Sequence, residues 1–356
     1  MMKKKIAALV SGGVDSSLAL QLLHEQGYEV HAFYLKIWLE DELSFLGNCP
    51  WKEDLSYIEP LCASLNIPLE IVPFQKEYWD HIVSYVIDSI KKGQTPNPDM
   101  LCNPFIKFGA FYKYLQNNYD LIATGHYAQK QQLSDHALLL CAKDSFKDQT
   151  YFLARLSQEQ LQKALFPIGH LTKQEVRQKA LEYQLPAMQR KDSQGICFLG
   201  KISFNDFIKH HLGEKQGQII EYETGKVLGT HQGFWFHTIG QRKGLRLSGG
   251  PWYVVAKNSA ENIVFASKEY FDPAQARNEC IVADFHWIYQ EPDFSRPLTV
   301  KFRHGEQRYN FSIEYINETE ALIKIDGRDQ GIAPGQFAVF YDENICLGSA
   351  IIQEHA

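Results

Sequence analysis

The heptapeptide Ser11-Gly12-Gly13-Val14-Asp15-Ser16-Ser17 stands between an apolar run, Ile6-Ala7-Ala8-Leu9-Val10, and a stretch of helical periodicity. Strand, glycine turn and helix start together make an anion cradle. Glycines admit a ligand close to the backbone, and N–H groups at a helix N-terminus face negative charge. Neither the Walker A pattern with its lysine nor G-x-G-x-x-G occurs in the chain. A Gly-Gly turn with serines is, by itself, also an ordinary strand-to-helix connection. The second resource is thiol chemistry. Cysteines stand at positions 49, 62, 102, 141, 197, 280 and 346, an odd number with no C-x-x-C pair, so neither a disulfide framework nor a zinc site is indicated. Cys62, on an apolar helix face, and Cys141, Cys280 and Cys346 read as small buried side chains. Cys102, beside Asn103, and Cys197, after Gly195-Ile196, read either way: packing or nucleophile. Asp99 is either a general acid/base three residues before Cys102 or the start of a helix, and His126 is either functional or a satisfied structural histidine.

Taken whole, the heptapeptide resembles the pyrophosphate loop of the ATP pyrophosphatase (PP-loop) superfamily. Further segments narrow the resemblance to the bacterial tRNA-specific 2-thiouridylases. They are Thr95-Pro96-Asn97-Pro98-Asp99-Met100-Leu101-Cys102-Asn103 with Ile106-Lys107-Phe108-Gly109, Thr124-Gly125-His126-Tyr127-Ala128, Lys147-Asp148-Gln149-Thr150-Tyr151-Phe152-Leu153 and Pro167-Ile168-Gly169-His170-Leu171. Two more are Gly195-Ile196-Cys197-Phe198 and the run His237-Thr238-Ile239-Gly240-Gln241-Arg242-Lys243-Gly244-Leu245. The resemblance runs from about residue 5 to Cys346-Leu347-Gly348. Pro104, where a charged residue is usual, and Gln129, where Arg often follows His-Tyr-Ala, depart from the pattern. Cys49-Pro50-Trp51 also recurs in relatives, with no chemistry assigned to it.

This resemblance implies ATP-dependent 2-thiolation of the tRNA wobble uridine. The uracil C2 oxygen is a poor leaving group; adenylating it turns it into AMP, and a persulfide is then a strong sulfur nucleophile near neutral pH. The implied roles put the persulfide on Cys197, the second nucleophile or resolving thiol on Cys102, and the general acid/base on Asp99. ATP would lie against Leu9, Val10, Ser11, Gly12, Gly13, Val14, Asp15, Ser16, Leu35 and Gly125. With no lysine in the loop, charge neutralisation would fall to Mg²⁺ and backbone dipoles, no protein side chain being assigned to the metal. Target base and tRNA would touch Asn97, Pro98, Asp99, His126, Lys147, Asp148, Gln149, Arg303, His304 and Gln336. Implied partners are tRNA and a sulfur donor, either a cysteine desulfurase or a relay carrier, with the chain a cytoplasmic monomer. Two alternatives remain in view: an amidating PP-loop synthetase, which needs an ammonia source and no thiol pair, and a non-catalytic ATP-binding module.

Charge is consistent with a local rather than global RNA surface. The 356 residues carry a net −6. Within residues 187–258, however, ten basic side chains (Arg190, Lys191, Lys201, Lys209, Lys215, Lys226, Arg242, Lys243, Arg246 and Lys257) face five acidic ones, a local +5 interleaved with Phe234, Trp235 and Phe236. The longest apolar stretches are far shorter than the roughly 20 residues of a membrane span.

The elements that must position these residues follow from periodicity. An α/β first half is expected: strands at Ile6–Val10, Glu29–Leu35, Leu69–Val72 and Leu121–Ala123 alternate with helices at Ser16–Gln26, around Leu55–Leu65 with a kink at Pro60, and at Glu77–Lys92. That pattern predicts a Rossmann-like parallel sheet covered on both faces, and the PP-loop resemblance implies the adenine nucleotide α-hydrolase-like form of it. Thr172 and Glu175 form a capping box that opens a helix to about Tyr183. After Pro186 come a loop, a helix at Phe204–His211 and then short strands, predicting a small central domain and an all-β C-terminal barrel. The expected division is 1–187 catalytic, 188–208 a mobile linker carrying Cys197, 209–274 central and tRNA-binding, and 275–356 barrel.

Overall fold

In the computed structural model, residues 3–37, 51–192, 203–270, 277–329 and 331–354 are described. Cys49, Lys201 and Cys197 lie outside them.

The apolar run near the N-terminus forms β1 (Lys5–Leu9), whose side chains alternate between two cores as a strand buried on both faces must. Ala7, with Phe33, Val72 and Ile122, faces one core; Ile6, Ala8, Ala32, Tyr34 and Ala123 face the other. β1 is central in a parallel sheet of order β3-β2-β1-β4-β7, with β2 at Glu29–Lys36, β3 at Leu69–Pro73, β4 at Leu121–Ala123 and β7 at Ala164–Leu165. Helix α1 (Val14–Glu25) buries Leu18, Leu20 and Leu23 and stops at Gly27, whose φ of +77° suits glycine. Helix α2 (Trp51–Leu65) runs through Pro60 as one element rather than being divided there. Both lie on the same face as the helix Lys173–Glu182, whose predicted capping box forms in full between Thr172 and Glu175. The opposite face is covered by a helical run over residues 75–91, with a π-helical turn at Trp79–Val83, and by residues 98–114. In that second run the short helix Pro98–Cys102 passes into a π-helical segment, Asn103–Ala110. Pro104 lies in its first turn, where no N–H is available for the tighter α-helical bond.

Two strands that periodicity missed change how the domains join. Gln129–Gln132 (β5) and Ala137–Leu140 (β6) form a hairpin inside the first half of the chain. β6 then pairs with the last strand, β17 (Ile345–Glu354), through Leu139↔Cys346 and Leu140↔Ile345. The N-terminal half therefore continues the sheet of the C-terminal barrel. That barrel is antiparallel, with order β12-β15-β14-β13-β16-β17 closed by β12–β17 pairing. Its strands are β12 (Glu279–Trp287), β13 (Thr299–Lys301), β14 (Tyr309–Tyr315), β15 (Glu320–Ile325) and β16 (Phe337–Asp342). Between the two lies a four-stranded sheet of order β10-β11-β8-β9, built from Tyr253–Asn258, Ile263–Ser267, Gly217–Glu221 and Val227–His231.

The motif at residues 147–153 is the rivet between these parts. Tyr151 is fully buried and donates its hydroxyl to the carbonyls of Phe302 and Phe337, both at 3.1 Å. Asp148, 3% exposed, pairs with the equally buried Lys301 at 3.5 Å and accepts from Thr150 Oγ1 and Ala142 N. A buried pair contributes little net stability when whole, but removing one partner strands the other charge. Lys301→Met is therefore expected to destabilise the fold by about 3–5 kcal/mol, read from urea unfolding, whereas replacing both partners costs less.

Candidate active site

The glycine loop lies where β1 hands over to α1, as the sequence requires. Ser11 N–H donates to Ser16 Oγ at 3.2 Å, and the hydroxyls of Ser16 and Ser17 both donate to Gly13 O. Gly13 is the N-cap of α1 and, having no side chain, makes no side-chain capping bond to its first N–H groups. Gly12 has φ +73°, and a methyl built on it would lie 2.6 Å from Arg190 Nη1 and 2.8 Å from Asp54 O. Around Gly13 there is room: the nearest atom, Ser11 Oγ, would be 3.6 Å away. Gly125, in the turn after β4, approaches the loop so closely that its Cβ would sit 2.7 Å from Ser16 N.

The fold brings a cation from the far end of the domain to the loop's own carboxylate, Asp15. Lys173, at the first position of its helix, places Nζ 2.8 Å from both carboxylate oxygens of Asp15, which also accepts from Tyr127 Oη at 2.7 Å. Burial and the Asp15 charge keep the Tyr127 phenol protonated. Lys173 also pairs with Asp192 at 2.8 Å, and Asp192 in turn holds Lys147, at 3.0 Å, and Arg177. Burial pushes the Asp192 carboxyl up, but hydrogen bonds from Lys173 and Lys147 outweigh it and hold the group down at about 2. A depressed carboxylate stabilises the fold above its unfolded value and loses that contribution as pH falls toward 2. The urea-unfolding difference between wild type and Asp192→Asn should therefore be on the order of 1 kcal/mol near pH 6 and shrink between pH 4 and pH 2. A gap that stayed constant through that window would refute the assignment.

A continuous line of contacts leads from this loop to Cys102. Gly125 touches the start of α1, and the neighbouring His126 places Nδ1 2.8 Å from Thr124 Oγ1 and Nε2 3.4 Å from Lys107 Nζ. Burial, with the Lys107 ammonium beside it, holds His126 well below its usual range and therefore neutral. Lys107 donates to Asn103 Oδ1, and Asn103 donates to the carbonyls of Asp99 and Phe152. Cys102 is the last residue of the helix that Asn97 and Pro98 begin, and it is buried against the core that includes Met100 and Phe108. Asp99, in the first turn of that helix, has the position of a helix starter as well as that of a site residue. The other described cysteines are packing residues: burial pushes Cys62 up to about 11 and Cys280 up to about 12, and it raises Cys141 and Cys346 as well.

The barrel reaches this helix. Gln336 donates to Thr95 O at 2.8 Å and accepts from Asn97 Nδ2 at 3.3 Å, while Thr95 N–H donates to Pro334 O. Asn97 and Gln336, expected as separate RNA contacts, are thus neighbours. Gln149 accepts from Tyr127 N, so its side chain faces the loop domain. Asp148 turns inward, and its backbone is hydrogen-bonded to the His304 ring. Arg303 is exposed and paired with Asp329, and the His304 ring stacks 5.0 Å from Phe152, near Asn103. Val10 is hydrogen-bonded into β2, and Leu9 and Leu35 pack against the sheet core near the loop.

The basic segment is less uniform than its count suggests. Arg190 is tied to Asp54 at 2.6 Å, Lys209 to Glu214, and burial lowers Lys257 to about 8. Arg242, Lys243 and Arg246 remain together and exposed on one loop. Of the interleaved aromatics, Phe234 is buried in the central core, while Trp235 and Phe236 are half-buried and Trp235 Nε1 donates to Gly213 O. A cavity of about 160 Å³ opens between Thr95-Pro96 and Trp235, His237 and Lys257. The contacts that Lys173, Arg177 and Asp192 make around Asp15 were not anticipated, although the capping box fixes Lys173 at a helix start; Tyr127 lies within the quoted Thr124–Ala128 motif and Arg190 within the basic segment.

Comparison with known proteins agrees with this layout. Three family models match in order: a "tRNA methyl transferase HUP domain" over residues 4–201, a "tRNA methyl transferase PRC-barrel domain" over 205–268 and an "Aminomethyltransferase beta-barrel domain" over 277–352. The tRNA-specific 2-thiouridylase MnmA of Parabacteroides distasonis is 47% identical over 356 residues, covering 98% of both chains. That of Porphyromonas gingivalis is 47% identical over 357 residues, with the same coverage. A Bacteroides fragilis homologue is 48% identical over 353 residues, covering 98% of this chain and 99% of its own. Identity of this order along the whole length, together with the family model matched over residues 4–201, shows that the chain belongs to the tRNA-specific 2-thiouridylases, sulfur-transferring enzymes of the PP-loop class.

Proposed function

We propose that the chain uses ATP to adenylate the C2 oxygen of the tRNA wobble uridine, releasing pyrophosphate, and then replaces that oxygen with sulfur. The supporting observation is the contact line from the glycine loop through Gly125, His126, Lys107 and Asn103 to the Cys102 helix. That line supports a reading in which nucleotide chemistry at the loop and thiol chemistry at Cys102 serve one reaction. The loop and the α1 N-terminus hold the triphosphate, and the neutral His126 and Asn97 lie where the base would enter.

In the transfer step the terminal sulfur of a Cys197 persulfide attacks C2, and the C2–O bond breaks with AMP as leaving group. The Cys102 thiolate then attacks Cys197 Sγ, cleaving the S–S bond and leaving the thiocarbonyl on the base. Alternatively, Cys102 first releases hydrosulfide from the persulfide, and that anion attacks C2. Both routes end with a Cys102–Cys197 disulfide and need a reductant for the next turnover. Asp99 takes up and returns the proton. Magnesium would arrive on the phosphates. Among the described residues no group of three or more His, Cys, Asp or Glu side chains forms a metal site, which leaves Asp15 as the loop's own carboxylate.

The same reading has residues 188–208 as the linker that delivers Cys197, residues 209–274 and 275–356 as the tRNA-binding parts, and a cytoplasmic monomer fed by a desulfurase or a carrier. tRNA from cells depleted of the protein, digested to nucleosides and analysed by mass spectrometry, should lack 2-thiouridine derivatives and keep other modifications. Unchanged 2-thiouridine with another modification lost would refute the reading.

A further inference from the structure

The glycine loop carries no lysine, yet one guanidinium nitrogen stands against it with nothing to bind. Arg190 Nη2 is paired with Asp54 Oδ1 at 2.6 Å, and its plane lies over the Tyr57 ring, 4.8 Å from the centroid. Asp54 is itself fixed by the Tyr34 hydroxyl at 2.8 Å. Nη1, by contrast, is buried and has no hydrogen-bond partner among the described residues. The same Nη1 would lie 2.6 Å from a methyl on Gly12, so only a glycine there admits it to the loop. Buried donors are almost always satisfied, and a charged donor left unsatisfied in the ligand-free chain points to a partner that arrives later. Lys173, also near the loop, is already claimed by two carboxylates.

We infer that Arg190 is a phosphate-binding residue of the nucleotide site. Asp54, Tyr34 and Tyr57 hold it in place so that Nη1 donates to the pyrophosphate portion of ATP and to the pyrophosphate released. It serves in place of the lysine of other phosphate loops. This assignment rests on the ATP reading proposed above.

The test is equilibrium calorimetry on the full-length chain with ATP, inorganic pyrophosphate and AMP as separate probes, for wild type, Arg190→Gln and Arg190→Lys. Loss of one charge-assisted bond should weaken pyrophosphate and ATP about 10- to 100-fold in Arg190→Gln and AMP less than about 3-fold. Arg190→Lys, which keeps the charge without the fork, should recover part of the loss. If Arg190 only straps α2 to the loop, melting temperature falls and all three ligands weaken alike, which overturns the assignment. Equal pyrophosphate affinity in wild type and either variant overturns it too. A wild-type chain that bound neither ATP nor pyrophosphate would instead overturn the ATP reading and this inference together. Arg190→Lys is the variant read if Arg190→Gln does not fold.

Discussion

Serine at Cys102 or at Cys197 is expected to lower tRNA thiolation by at least about 10³-fold, because in the proposed mechanism each thiol does covalent work that an alcohol cannot do at neutral pH. Affinity for tRNA should stay within about threefold of wild type, since the proposed mechanism gives neither side chain a phosphate contact. The two residues are 95 positions apart in the chain, so a bond between them reports the fold and not local sequence. One turnover without reductant should leave a Cys102–Cys197 disulfide, seen by peptide mapping, and reductant should restore activity as for a catalytic rather than a structural bridge. Cys62→Ser and Cys280→Ser should cost stability alone, because both thiols are buried and pushed far above neutrality. A Cys197→Ser enzyme that thiolated at the normal rate from a persulfide donor would contradict the proposed mechanism.

The glycines should separate two kinds of damage. Gly125→Ala forces a methyl to within 2.7 Å of the Ser16 backbone, and Gly12→Ala meets Asp54 O at 2.8 Å from a φ of +73°. Neither neighbour is a flexible side-chain end. Each variant should therefore lose about 2–4 kcal/mol of stability, together with ATP binding. At Gly13 an added Cβ meets only Ser11 Oγ, at an ordinary 3.6 Å, and φ is an ordinary −78°. Gly13→Val should fold with little change in melting temperature yet lose ATP affinity at least about tenfold, because its side chain occupies the space the phosphates need. Thermal melts paired with ATP titrations of the three variants make the comparison. Unimpaired ATP binding by Gly13→Val would place the triphosphate elsewhere.

Much of the fold was legible because its signals are local. A wholly apolar pentapeptide, a Gly-Gly turn and a helix start identify β1, the loop and α1, and the capping box at Thr172 and Glu175 forms as read. What stayed hidden depends on distant partners. Gln129-Lys130-Gln131-Gln132 has no strand alternation, and it is a strand only because it pairs with Ala137–Leu140, which pairs in turn with residues 345–346. Ala164–Leu165 is too short to announce itself, and it is defined by pairing with β4. At the site, Lys173, Asp192 and Arg190 look like solvated charges in sequence. Their meaning comes from Asp15 and Gly12, more than 150 residues away, which spacing rules cannot reach. The Gln336–Asn97 contact is of the same kind.

The central claim is that one chain couples ATP cleavage to replacement of oxygen by sulfur in tRNA. The most direct test is a single-turnover reaction of the full-length protein with tRNA, ATP and a persulfide donor. Nucleosides and nucleotides from the same tube are analysed by mass spectrometry and chromatography. One 2-thiouridine, one AMP and one pyrophosphate should form per active enzyme. ADP with orthophosphate, or a modified uridine without sulfur, would contradict the account.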